Sequence, residues 1–125
     1  MGTDKTRYSG SELQEFKILI EEKFKHGEKQ LAFFETQLKE LQMSDDIRLK
    51  GMDNGLGSAE KDRLINMIER QKKHLQYLNN ALLRIENKVY GICRETGKLI
   101  SKERLRAVPH ATLSIVAKEE RRKNK

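Results

Sequence analysis

Residues 90–117, YGICRETGKLISKERLRAVPHATLSIVA, have the residue types and cadence of a small metal-binding module. A cysteine sits in a turn, a Gly-Lys-Leu-Ile turn follows, then a basic run, a proline and a short helical segment. A structural zinc site needs four donors such as thiolate or imidazole around one ion. This chain holds one cysteine, Cys93, and three histidines. His26 and His74 fall on helical stretches at spacings unsuited to a shared ion, and His110 with Cys93 makes two donors at most. The expectation is a module without metal or any other cofactor. Cys93 reads as a small buried hydrophobe, with a reactive thiol helped by Arg94 as the sharper alternative. A lone cysteine excludes a disulfide within the chain and points to a reducing cytoplasm. No Ser/His/Asp or Cys/His constellation and no phosphate-cradling loop is visible, so the chain does not read as an enzyme.

Charge is unevenly placed along the 125 residues. Residues 1–87 carry 15 basic and 15 acidic side chains, whereas residues 88–125 carry 11 basic and 4 acidic, which supplies the whole net charge of +7. Lys98, Lys102, Arg104, Arg106 and Lys118 form the candidate basic surface for an acidic partner, protein or nucleic acid. Apolar and charged residues each make up 36%. That balance suits long amphipathic helices better than a globule with one large core. No apolar run approaches the ~18 residues of a membrane span.

The elements that must carry this module are helical. Ser9 and Glu12 offer a capping box. Leu13, Phe16, Ile20, Phe24, Leu31, Phe34, Leu38 and Leu41 then recur in steps of three and four, with Gly27 in the place between Phe24 and Leu31. A second seam runs Leu64, Ile68, Gln71, Leu75, Leu78, Leu82, Ile85 and Val89. Its one polar member, Gln71, is of the kind that fixes register at some cost in stability. Ser58 is the expected N-cap of the second helix, with Glu60 and Asp62 in its first turn. The expected fold is mainly α: an antiparallel coiled-coil hairpin (helix 9–43, tip loop 44–57, helix 58–89) and a small module over 90–125. Helices of roughly 30 residues span about 45 Å. A monomeric hairpin is favoured over a dimer because the seams match in length and a glycine-rich turn joins them. Residues 98–106 read as a basic turn segment, and Thr112 as a cap for a last short helix.

The stretch RIENKVYGICRETGKLISKERLRAVPHATLSIVAK resembles the C-terminal finger of the DksA/TraR family of bacterial RNA polymerase regulators. Tyr90, Gly91, Cys93, Gly97, Ile100, Arg104, Leu105, Ala107 and Pro109 match the family pattern. That pattern spaces four cysteines as C-x2-C-x17-C-x2-C. Counted from Cys93, the other three positions are Thr96, Ser114 and Ala117, so the frame is kept while the ligands are gone. A zinc site can supply ~10 kcal/mol or more to the folding of a small finger. Its expected replacement is an apolar mini-core of Ile92, Leu99, Ile100, Leu105, Val108, Leu113, Ile115 and Val116.

The resemblance implies a coiled-coil tip that enters the secondary channel of RNA polymerase and alters initiation near the catalytic magnesium. Counting back from the finger places the tip motif on Lys50, Asp53 and Gly55, with Asp45 and Asp46 as acids on the other side of the tip. The implied partner is RNA polymerase, without sequence-specific DNA binding and without a membrane. Two other classes compete: a nucleic-acid binder using the basic C-terminal module, and a structural coiled-coil interaction protein. Against the first, the aromatic residues lie mostly on helices rather than in a stacking platform.

Overall fold

Ser9 opens the first helix. In the computed structural model, which describes residues 6–48 and 55–123, the Ser9 N–H donates to Glu12 Oε1 at 2.9 Å and the Glu12 N–H donates to Ser9 Oγ at 3.2 Å. This reciprocal pair covers two amides that a helix start leaves without partners. Helix α1 runs Gly10–Arg48 and α2 runs Gly55–Glu86. Two short helices follow, α3 over Lys102–Ala107 and α4 over Ile115–Lys123. Among the described residues the β structure is one isolated bridge, between Ile92 and Leu99. The architecture is mainly α, a helical hairpin followed by a small finger-like module.

Several boundaries differ from the sequence reading. Helix α1 continues through Asp45 and Asp46 to Arg48, and α2 begins at Gly55 rather than after Ser58. Ser58 is therefore inside α2 and is not its cap, and the first turn of α2 holds no acid. Glycine costs a helix about 1 kcal/mol per residue relative to alanine but does not forbid it, so Gly55 and Gly57 are taken into the helix. At the other end α2 stops at Glu86, leaving Val89 outside the seam and 46% exposed. Lys88 adopts φ 63°, its N–H donates to the Ile85 carbonyl at 3.0 Å, and the Val89 N–H donates to the Arg84 carbonyl at 2.9 Å. These are the two bonds of a Schellman stop, built here without the usual glycine.

The described chain falls into two compact units, residues 24–76 and residues 6–23 with 77–123. In the first, α1 and α2 run antiparallel: Gln71 meets Gly27, while Leu64 shares a cleft of about 240 Å³ with Leu41. Leu64, Ile68 and Leu75 are buried, and Leu31, Phe34, Leu38 and Leu41 are half-buried. The three-and-four spacing has placed them on the inner faces. Phe33 lies off the seam, 59% exposed, with its ring 6.1 Å from that of Phe34.

In the second unit α1 contributes Leu13, Phe16 and Ile20, and α2 contributes Leu78, Ala81 and Ile85, all buried. Leu78 is fully buried, and burying a side chain of that size contributes about 1.5–3 kcal/mol. The finger adds Tyr90, Ile100 and Leu105, each with no exposed surface. Among the described residues no helix is long and apolar enough to cross a membrane.

Candidate functional site

The finger begins where the chain reverses between Gly91 and Ile100. Ile100 N–H donates to the Gly91 carbonyl at 2.7 Å and Cys93 N–H donates to the Lys98 carbonyl at 2.8 Å. Gly91 needs to be glycine twice over. Its φ is 80°, and a Cβ there would stand 2.6 Å from the Tyr8 ring. Ser101 then caps α3 by accepting from the Arg104 N–H at 3.2 Å. The segment expected as a basic turn is therefore partly a helix, and Ser101 with Glu103 in the first turn was the available signal.

The family's ligand positions are brought together. Cys93 is 1% exposed; its Sγ accepts from the Ser114 N–H at 3.4 Å and lies 3.7 Å from Ser114 Oγ. Ser114 Oγ in turn accepts from the Ala117 N–H at 3.2 Å, which caps α4. The cap is thus Ser114 and not Thr112. Thr96 also hydrogen-bonds to Cys93, and Ala117 is 4% exposed. Burial pushes the Cys93 thiol up, but the hydrogen bonds from Thr96 and Ser114 outweigh it and bring it down to about 6.

This set does not fit zinc. One thiol is present, the Ser114 hydroxyl is committed to the α4 cap, and the methyl of Ala117 fills the fourth position. Among the described residues no group of three His, Cys, Asp or Glu side chains is placed to hold a metal ion. A hydrogen-bonded knot occupies the ground that an ion's ligands would take.

Aromatic packing supplies much of what else holds the module. Phe16 packs between Tyr8 and Tyr90, with ring centroids 5.7 Å and 5.4 Å away. The Tyr8 hydroxyl donates to the Ile100 carbonyl, and the Tyr90 hydroxyl donates to the Pro109 carbonyl at 2.7 Å. Burial raises both hydroxyls above their usual pKa. The expected mini-core is correct for Ile100 and Leu105, while Ile92, Leu99, Val108 and Leu113 are half-buried. Ile115 and Val116 are instead 53% and 67% exposed, because the cap at Ser114 turns Ala117 inward. Sequence reasoning missed Tyr8. The signal was its place just before the cap, where a hydrophobic staple partners the residue at Leu13.

The basic set divides. Lys98, Arg106 and Lys118 are exposed. Lys102 Nζ pairs with Glu12 Oε2 at 2.7 Å, and Arg104 Nε donates to the Leu113 carbonyl at 2.8 Å. Those two side chains brace the finger. A further arginine, Arg84, is half-buried, donates to the His110 carbonyl at 3.4 Å, and is lowered by burial. His110 stacks on Tyr77 with centroids 5.5 Å apart. Of the tip candidates, Asp45 and Asp46 lie within α1, while Lys50 and Asp53 lie outside the described residues.

Comparison with known proteins agrees with this geometry. Residues 88–123 match the family model for the prokaryotic dksA/traR C4-type zinc finger. Over 64 residues the chain is 42% identical to the RNA polymerase-binding transcription factor DksA of Caulobacter vibrioides, covering 50% of this chain and 45% of that protein. Over 72 residues it is 33% identical to general stress protein 16O of Bacillus subtilis, covering 54% and 44%. The chain therefore spans less than half the length of the curated relatives it matches. The solved structure of transcription factor DksA2 from Pseudomonas aeruginosa superposes with a TM-score of 0.80 at 26% identity, over 91% of this chain and 85% of that one. By finger, by sequence and by fold, the chain is similar to the DksA/TraR family, with one cysteine where the family's finger type is named for four.

Proposed function

We propose that this protein is a transcription regulator that binds RNA polymerase directly and acts on initiation through its hairpin tip, inserted into the secondary channel. The observation that carries this reading is the likeness to the transcription factor DksA2 over 91% of the chain. The relative named as RNA polymerase-binding supports it from sequence. The protein works as a monomer in the cytoplasm and catalyses no reaction of its own. A rigid helical hairpin can carry a few side chains down a narrow channel, and the exposed Lys98, Arg106 and Lys118 offer affinity for an acidic surface.

The test separates tip from finger. Asp53→Asn is expected to reduce the effect on transcription while leaving polymerase binding nearly intact, because one carboxylate adds few contacts yet stands where charge changes during initiation. Charge reversal at Arg106 and Lys118 is expected to weaken binding in a salt-sensitive way. Arg104 is unsuitable for that arm, since its guanidinium holds the Leu113 carbonyl. Failure to co-purify with the host's RNA polymerase would end this reading. The net charge of +7 favours one other reading, a polyanion binder. Tight DNA binding without polymerase, falling steeply as salt rises, would support it.

A further inference from the structure

Helix α2 carries one polar residue in its seam, Gln71, and the seam of α1 holds one residue without a side chain, Gly27. The structure brings these two irregularities together. Gln71 Nε2 donates to the Gly27 carbonyl at 3.1 Å and to Gln30 Oε1 at 3.4 Å. A Cβ on Gly27 would stand 2.7 Å from Leu75 Cδ2 and 2.9 Å from Gln71 Nε2. The pair closes here only because residue 27 is glycine. Neither feature is favourable alone, since glycine weakens a helix interior and a part-buried amide gives up water. They make sense as partners.

The rest of the seam defines the axial offset poorly. Leu31, Phe34, Leu38 and Leu41 on one side and Leu64, Ile68 and Leu75 on the other are all apolar and repeat every three or four residues. Sliding one helix past the other by a turn sets apolar against apolar again. Gln71 breaks that degeneracy. In a slid hairpin its amide stands among apolar side chains without its carbonyl, which disfavours that register by roughly 5- to 150-fold.

We propose that Gln71 and Gly27 form a register key that decides which residues of the chain stand at the reversal between α1 and α2. A slide of one turn would move about four residues of one helix into the turn, replacing the side chains presented there. Gln71 is in that sense a positioning residue for the tip. The positioning role rests on the polymerase reading above; the register role does not.

The experiment uses the full chain with Cys93→Ser and spin labels on Lys39→Cys and Lys73→Cys, exposed positions staggered along the hairpin axis so that a slide changes the distance between them. With Gln71 present, one narrow inter-label distance is expected. Gln71→Leu should add a second population displaced by about 5 Å, one helical turn, while the melting temperature rises. Stability and uniqueness moving in opposite directions is what a mere packing role would not give. An unchanged single distance in Gln71→Leu overturns the proposal. Gly27→Ala is the second variant: its Cβ must displace the amide, so the distance should broaden even with Gln71 in place, and an unaltered distance there also counts against the key. With polymerase, Gln71→Leu should bind as the parent does but affect initiation several-fold less. An undiminished effect overturns the positioning role. Failure of the parent itself to bind polymerase would instead overturn the proposed function and leave the distance result standing.

Discussion

Tyr8 and Cys93 each tie the finger together through hydrogen bonds. The Tyr8 hydroxyl serves a carbonyl 92 residues away. Tyr8→Phe keeps the ring against Gly91 but leaves that carbonyl without its donor, and should cost about 1–2 kcal/mol in chemical unfolding. An unchanged midpoint would mean water replaces the hydroxyl. Cys93 gives a pH signature. Its thiol is brought down to about 6, below its usual value, by Thr96 and Ser114. A depressed acid contributes stability that is present above its unfolded pKa and lost as pH falls through the folded one. The melting temperature should therefore climb between about pH 6 and pH 9, and Cys93→Ser should flatten that slope. Equal slopes in parent and variant would show that the thiol stays protonated across this range.

The elements were legible to different degrees, for physical reasons. Helical seams and the Ser9–Glu12 box are local patterns, readable from spacing within a few turns. The stop of α2 is less so: Lys88 takes a left-handed conformation that sequence preference reserves for glycine, so Val89 looks like one more seam residue. Lys88→Gly should relieve that conformation and stabilise the fold by about 1 kcal/mol. A loss of stability would mean that the lysine side chain makes a compensating contact. α3 was hidden by its length of six residues, too short for periodicity to show. The inward turn of Ala117 was hidden because the cap choice between Thr112 and Ser114 depends on Cys93, 21 residues upstream of Ser114.

For the molecule as a whole, the family frame was legible in the spacing of Tyr90, Gly91, Cys93, Arg104, Leu105 and Pro109, and the missing donors could simply be counted. The aromatic packing of the finger was not legible, because Tyr8 and Phe16 come from the other end of the chain. If the aromatic cluster and the Cys93–Ser114 knot suffice, the purified protein carries no stoichiometric zinc, and a strong chelator leaves helicity and melting temperature unchanged. One equivalent of tightly held zinc by elemental analysis would refute this. The division of the basic residues has a matching consequence: Lys102 and Arg104 variants should act first on finger stability, and Lys98, Arg106 and Lys118 variants on association.

The aromatic cluster also makes the protein its own reporter. The chain has no tryptophan and three tyrosines, Tyr8, Tyr77 and Tyr90, and all three belong to the unit formed by residues 6–23 and 77–123. The tyrosine band of the near-ultraviolet ellipticity and tyrosine fluorescence therefore report on the finger and its base alone, while far-ultraviolet ellipticity sums the helices of both units. Leu38→Asp, a charge placed in the seam of the other unit, should erode the far-ultraviolet signal first and leave the tyrosine band in place. Two optical channels, read side by side during a melt, give each unit its own unfolding curve without a single added label.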